Sequence, residues 1–157
     1  MPDNSPTPRI TLASTSPFRK ELLERLGIEF DTAAPDVDET SLQGERPEAL
    51  VKRLSEDKAR AVAATHAGLI IGSDQVAITG IDILGKPGTH ERAREQLRNL
   101  SGKRVTFHTG LCLLNTDTDE VQLEVVPFVV QFRQLTDDQI ERYLQHDLPY
   151  NLSLIHI

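Results

Sequence analysis

Residues 12–27, Leu-Ala-Ser-Thr-Ser-Pro-Phe-Arg-Lys-Glu-Leu-Leu-Glu-Arg-Leu-Gly, constrain this chain more than any other stretch. They read as a strand end, a turn of small residues and a helix with its own start signal. Ser16 suits the N-cap, and Pro17 suits the first helical position, where its missing N–H costs nothing. Leu22, Leu23 and Leu26 form an apolar stripe at helical spacing, and Gly27 suits the stop. The turn offers backbone N–H groups, hydroxyls including Ser14, and Arg19 in the first helical turn. A cation there opposes the helix dipole, which favours anions at that end. A phosphate held between the amides and Arg19 would reconcile the two. An ordinary capped helix with a solvated Arg19 fits the same residues.

The 157 residues suit one domain. A hydrophobic share of 38% and a charged share of 26% suit a globular protein with a modest core. No apolar run is long enough to span a bilayer, and the polar, Pro-rich residues 1–8 hold no secretory signal and read as a disordered tail. These features point to a cytoplasmic protein with no membrane partner. The single cysteine, Cys112, excludes an internal disulfide and lies in a strand-like run, as a buried structural thiol would. A net charge of −7 argues against broad nucleic-acid binding. It leaves room for a small anion in a local basic pocket.

Strands are expected at residues 9–13, 28–34 and 69–78, with a short return strand from 83 to 87. A hairpin of residues 105–114 and 121–132 follows. Helices are expected from 17, from 47 to about 65, from 90 to 100 behind the Thr89 cap, and from 136 to about 145. The last opens on the capping box Thr136-x-x-Gln139. Early alternation and a late hairpin together predict an α/β protein with a mixed sheet.

Four positions look costly for structure alone. Asp74 interrupts a strand that otherwise reads as buried, so its carboxylate must be paired, metal-bound or protonated, or else reach solvent at the strand end. Gly72, just before it, admits a close neighbour. Lys58 falls on the inward stripe of the long helix with Val51, Leu54 and Val62, facing a ligand or snorkelling to water. Glu39 closes Asp36-Val37-Asp38-Glu39, a set of carboxylates that suits either a hard cation or a solvated loop. Lys86, in Gly85-Lys86-Pro87, suits a point-charge contact to phosphate. The five histidines show no ligand spacing, and there is no Walker loop or nucleophile elbow.

Six segments together carry a family likeness. They are Leu12-Ala13-Ser14-x-Ser16-Pro17-x-Arg19, Val37-Asp38-Glu39, Asp57-Lys58-Ala59, Gly72-Ser73-Asp74-Gln75, Gly85-Lys86-Pro87 and Ser101-Gly102. In this order and spacing the chain resembles the Maf-like nucleotide pyrophosphatases across residues 9–151. The resemblance implies an elongated mixed α/β sheet with flanking helices, similar to inosine triphosphate pyrophosphatases. It implies hydrolysis of nucleoside triphosphates between the α and β phosphates, with Mg²⁺ or Mn²⁺. It implies Asp74 as the general base, Glu39 and Asp74 at the metal, and Ser14, Arg19, Lys58 and Lys86 on phosphates. A homodimer is an assembly that the family often forms.

Phe18 beside Gln75 resembles the branch that acts on 7-methyl-GTP, since an aromatic face attracts a positively charged methylated guanine. Packing of Phe18 on Leu22 is the structural alternative. Two other readings stay open: the same chemistry on dTTP or UTP, and a non-catalytic nucleotide-binding module. A carboxylate at position 74 argues against the module, because a plain anion site gains nothing from it. Residues 152–157, Leu-Ser-Leu-Ile-His-Ile, match a translated transposon-end adapter. They are expected to be read-through that leaves the domain without its C-terminal part, the alternative being a short apolar strand.

Overall fold

A computed structural model describes residues 7–80, 82–85 and 87–147. The elements run β1 (Ile10–Ala13), α1 (Pro17–Glu24), β2 (Asp31–Ala33), α2 (Pro47–Ala63), β3 (Leu69–Thr79), β4 (Asp82–Leu84), α3 (His90–Leu100), β5 (Arg104–Asn115), β6 (Glu120–Gln131) and α4 (Asp137–Asp147). Residues 1–6 of the expected tail, Lys86 and residues 148–157 lie outside the described residues.

The sheet is mixed, as the alternation of elements predicts. Its order is β2-β1-β3-β5-β6, with β4 against β3. β1 pairs in parallel with both β2 and β3, and β4 runs antiparallel to β3. Parallel neighbours need crossovers, which α1 and α2 supply.

The chain divides into two compact units. The first holds the described residues up to Asp74 together with Thr109–Val125. Its core is Ala13, Ala59, Val62, Ile70, Cys112 and Leu114. Cys112 is fully buried here, and burial pushes its thiol up to about 11, which suits a packing role. The second unit holds Gln75–His108 and the described residues from Val126 onward. Ala77, Ala93, Leu97, Leu100, Val105, Phe107, Ile140 and Leu144 form its core. Within it, Arg94 binds Glu141 through Nε at 2.8 Å, and Arg98 binds Asp137 at 2.9 Å, tying α3 to α4.

Cap signals were legible in detail. Ser16 Oγ accepts from the Arg19 amide at 3.3 Å, and Thr89 Oγ1 from the Arg92 amide at 3.2 Å. Both arms of the capping box form: Thr136 N–H donates to Gln139 Oε1 at 3.0 Å, and Gln139 N–H to Thr136 Oγ1 at 3.2 Å.

Three boundaries differ from expectation. β2 covers only Asp31–Ala33, because it is an edge strand paired with three residues of the short β1. The return strand β4 ends at Leu84, in register with the last three residues of β3. Helix α1 stops at Glu24 rather than running to Gly27. Arg25 caps it, and Gly27 follows in the left-handed region at φ +69°.

Candidate active site

Two glycines bring α2 onto the sheet. A Cβ on Gly72 would lie 2.1 Å from the Ser55 carbonyl oxygen, and a Cβ on Gly110 would lie 2.4 Å from that of Val51. Only a bare backbone at these strand positions admits the helix so closely. Ser55 Oγ turns back onto the Val51 carbonyl at 2.6 Å, and Ser73 Oγ donates to the Gly110 carbonyl at 2.8 Å. Asp74 lies two residues past Gly72, so strand alternation gives it the same face. Lys58 lies one helical turn from Ser55.

The two side chains therefore meet. Lys58 Nζ lies 2.9 Å from Asp74 Oδ1 and 2.9 Å from Glu39 Oε1. The Lys58 side chain is 8% exposed and that of Asp74 13%, whereas Glu39 is 64% exposed. The Lys58 ammonium is paired with these two carboxylates and does not snorkel to water. Asp74 is paired, as an interrupted apolar strand requires.

Ser14 and Arg19 enter from the turn after β1. Ala13 pairs with Gly72, which sets Ser14, the next residue, level with Ser73 within β3. Ser14 Oγ accepts from the Ser16 amide at 3.0 Å, fixing the turn into α1. Arg19 is half-buried. Desolvation lowers its pKa, opposed by the charges of Asp74 and Glu39, which places the guanidinium within their field. Ser14, Arg19, Glu39, Lys58 and Asp74 thus all belong to the first unit. Phe18 is half-buried on α1. Gln75, also half-buried, follows Asp74 on β3 and so turns to the opposite strand face. Lys86 lies outside the described residues.

A side-chain clamp on the loop after β2 escaped the sequence reading. Arg53 on α2 grips Glu45 with two bonds, Nε to Oε2 at 2.8 Å and Nη2 to Oε1 at 2.9 Å. The same guanidinium donates to the Thr40 carbonyl at 3.1 Å. The hydrogen bond from Arg53 holds the Glu45 carboxyl down at about 2, helped by the Leu42 amide. An eight-residue separation from loop to helix has no periodic signature, so only chain folding reveals this pair.

Leu22 of α1 and Leu26 of the turn after it also differ from a core-facing stripe. Leu22 is 59% exposed and Leu26 69%, and no residue of α1 is buried. With Leu12, Ile28, Ile71 and Leu111 they line an apolar groove of about 410 Å³.

Among the described residues no group of three or more His, Cys, Asp or Glu converges as a metal cage. Two carboxylates, Glu39 and Asp74, do converge on one cation, the Lys58 ammonium. Hard oxygen donors in that number suit Mg²⁺ or Mn²⁺, which keep waters and take further oxygens from substrate phosphates. No helix among the described residues is long and apolar enough to cross a membrane.

The profile of the Maf-like protein family matches residues 9–153. A relative from Nitrosococcus oceani named 7-methyl-GTP pyrophosphatase is 58% identical over 154 residues, covering 98% of this chain and 77% of the relative. One of the same name from Pseudomonas syringae is 54% identical over 147 residues, covering 93% and 77%. Among solved structures, the Ham1 protein of Staphylococcus aureus aligns with a TM-score of 0.56 at 17% identity, over 78% of this chain and 71% of that one. A HAM1 protein from Coxiella burnetii gives 0.55 at 19% identity, over 80% and 73%. At such identities the two structures speak to the fold alone, and they agree with the mixed α/β sheet described above.

Proposed function

The chain belongs to the Maf-like protein family, and from that membership we propose that it is a nucleotide pyrophosphatase acting on 7-methyl-GTP. The reaction is hydrolysis of the α–β phosphoanhydride to 7-methyl-GMP and pyrophosphate. The observation that carries this reading in the structure is the buried Lys58 ammonium bridging Asp74 and Glu39 beside a desolvated Arg19. Cleaving a phosphoanhydride is mainly positioning and charge neutralisation, and this cluster supplies one base and several charges.

Asp74 accepts the proton of the attacking water, as a carboxylate held in place by its neighbours can. Glu39 and Asp74 would hold a Mg²⁺ or Mn²⁺ ion, which when bound neutralises phosphate charge and makes its water more acidic. Arg19 and Lys58 take phosphate oxygens, Arg19 by its planar fork and Lys58 as a point charge. Ser14 adds a hydroxyl at the turn, and Lys86 a further cation by resemblance to the family. Phe18 offers an aromatic face to the cationic methylated base, and Gln75 is assigned to base selection by resemblance to the family alone.

Product identity tests the reaction. Hydrolysis of 7-methyl-GTP in ¹⁸O-water, followed by ³¹P NMR, should give pyrophosphate and a nucleoside monophosphate. Release of orthophosphate and a diphosphate would show attack at the β–γ bond and refute the proposal.

A further inference from the structure

We infer that Arg53 is a positioning residue for Glu39, acting through the loop and not by touching the site. The inference rests on the reading of Glu39 as a metal carboxylate.

Glu39 is mostly exposed and sits between β2 and α2, on a stretch that forms neither helix nor strand. A side chain so placed is only as well located as its backbone. The backbone here is tied down from α2. Arg53 Nη2 donates to the carbonyl of Thr40, the residue after Glu39, at 3.1 Å. The same nitrogen and Nε bind Glu45, at 2.9 and 2.8 Å. Glu45 in turn accepts from the Leu42 amide at 3.0 Å, and its own amide donates to the Leu42 carbonyl at 3.1 Å. Thr40 N–H donates to Asp38 Oδ1 at 2.9 Å. One guanidinium therefore fixes both ends of the segment 40–45. Asp57, one turn further along α2, holds Arg53 Nη1 at 3.4 Å.

Arg53 and Lys58 stand on the same helix and grip successive loop residues, Thr40 and Glu39. The rigid helix thereby sets the distance between the loop carboxylate and Asp74. Only arginine has the planar fork for this pattern, because a lysine ammonium cannot hold a bidentate carboxylate and a carbonyl in the same geometry. Bidentate arginine–carboxylate pairing adds geometric specificity as well as energy, so the clamp places the loop in addition to the stability it contributes. Partners that orient metal ligands typically change metal affinity by about 10–100-fold when lost.

A double-mutant cycle tests this. Mn²⁺ affinity is measured by EPR of free Mn²⁺, without nucleotide, for the wild type, Arg53→Lys, Glu39→Gln and the double variant. Arg53→Lys should weaken Mn²⁺ binding about tenfold in the wild-type background and less than twofold in the Glu39→Gln background. Glu45→Gln, which opens the clamp from the loop side, should reproduce the loss. Equal loss in both backgrounds, or none from Arg53→Lys while Glu39→Gln weakens binding, would overturn the inference alone. Equal Mn²⁺ binding by the wild type and Glu39→Gln would overturn the metal reading, and the inference with it.

Discussion

Lys58 Nζ and Asp74 Oδ1 lie 2.9 Å apart, on a helix and a strand drawn together by glycine. A mostly buried ion pair of this kind is seldom favourable for stability alone, since both groups lose their hydration. It makes sense where the site later exchanges one partner for a ligand. Phosphate oxygens can take the ammonium, and a divalent cation can take the carboxylate.

Asp74→Asn keeps the shape of the side chain and removes its basicity. Turnover should fall by at least about 10²-fold, the usual contribution of a positioned base. Nucleotide binding, read by isothermal titration in the presence of Mn²⁺, should persist. Retained turnover would remove Asp74 from the chemistry.

Gly72→Ala places a methyl group where the Ser55 carbonyl already stands, 2.1 Å away. The helix must retreat, because backbone and not a flexible side-chain tip is in the way. Overpacking of this sort costs about 1–3 kcal/mol, which for a chain of this size lowers the melting temperature by several degrees. Displacement of α2 also separates Lys58 from Asp74, so activity should fall more than stability does. A variant with unchanged melting temperature and full activity would contradict the close approach.

Glu45 makes a pH signature. Its folded pKa, about 2, lies below the ordinary value of 4.5 because Arg53 and the Leu42 amide bind the charged form. The stability it contributes is therefore present above pH 4.5 and is lost as pH falls from there through about 2. The stability difference between the wild type and Glu45→Gln, read by urea melts at stepped pH, should be constant near neutrality and shrink over that window. A difference that instead changes between pH 6 and 8 would assign the effect to another group.

Much of the fold was legible because its signals are local. Ser16, Thr89 and the Thr136–Gln139 pair cap helices where their sequence context predicts. Asp74 and Lys58 stood out because each breaks an apolar pattern, and the need for a partner could be derived from burial alone. That they partner each other could not, since it depends on helix α2 resting on Gly72 and Gly110. The Arg53–Glu45 clamp was invisible for the same reason, a contact between loop and helix with no repeat to betray it. β2 was overestimated because Ile28 to Phe30 look like strand, while only Asp31–Ala33 pair with β1. Leu22 and Leu26 show the limit of periodicity: a stripe at helical spacing says which residues share a face, not that the face is covered.

Pyrophosphate release is the measurement to make, from 7-methyl-GTP, GTP, dTTP, UTP and ITP, each at equal concentration with Mg²⁺ and with Mn²⁺. Pyrophosphate should come from 7-methyl-GTP at a kcat/KM well above that for the other four, with a preference that weakens in Phe18→Leu. Faster release from dTTP or UTP would contradict the assigned substrate, and no release from any of the five would contradict the enzymatic reading itself.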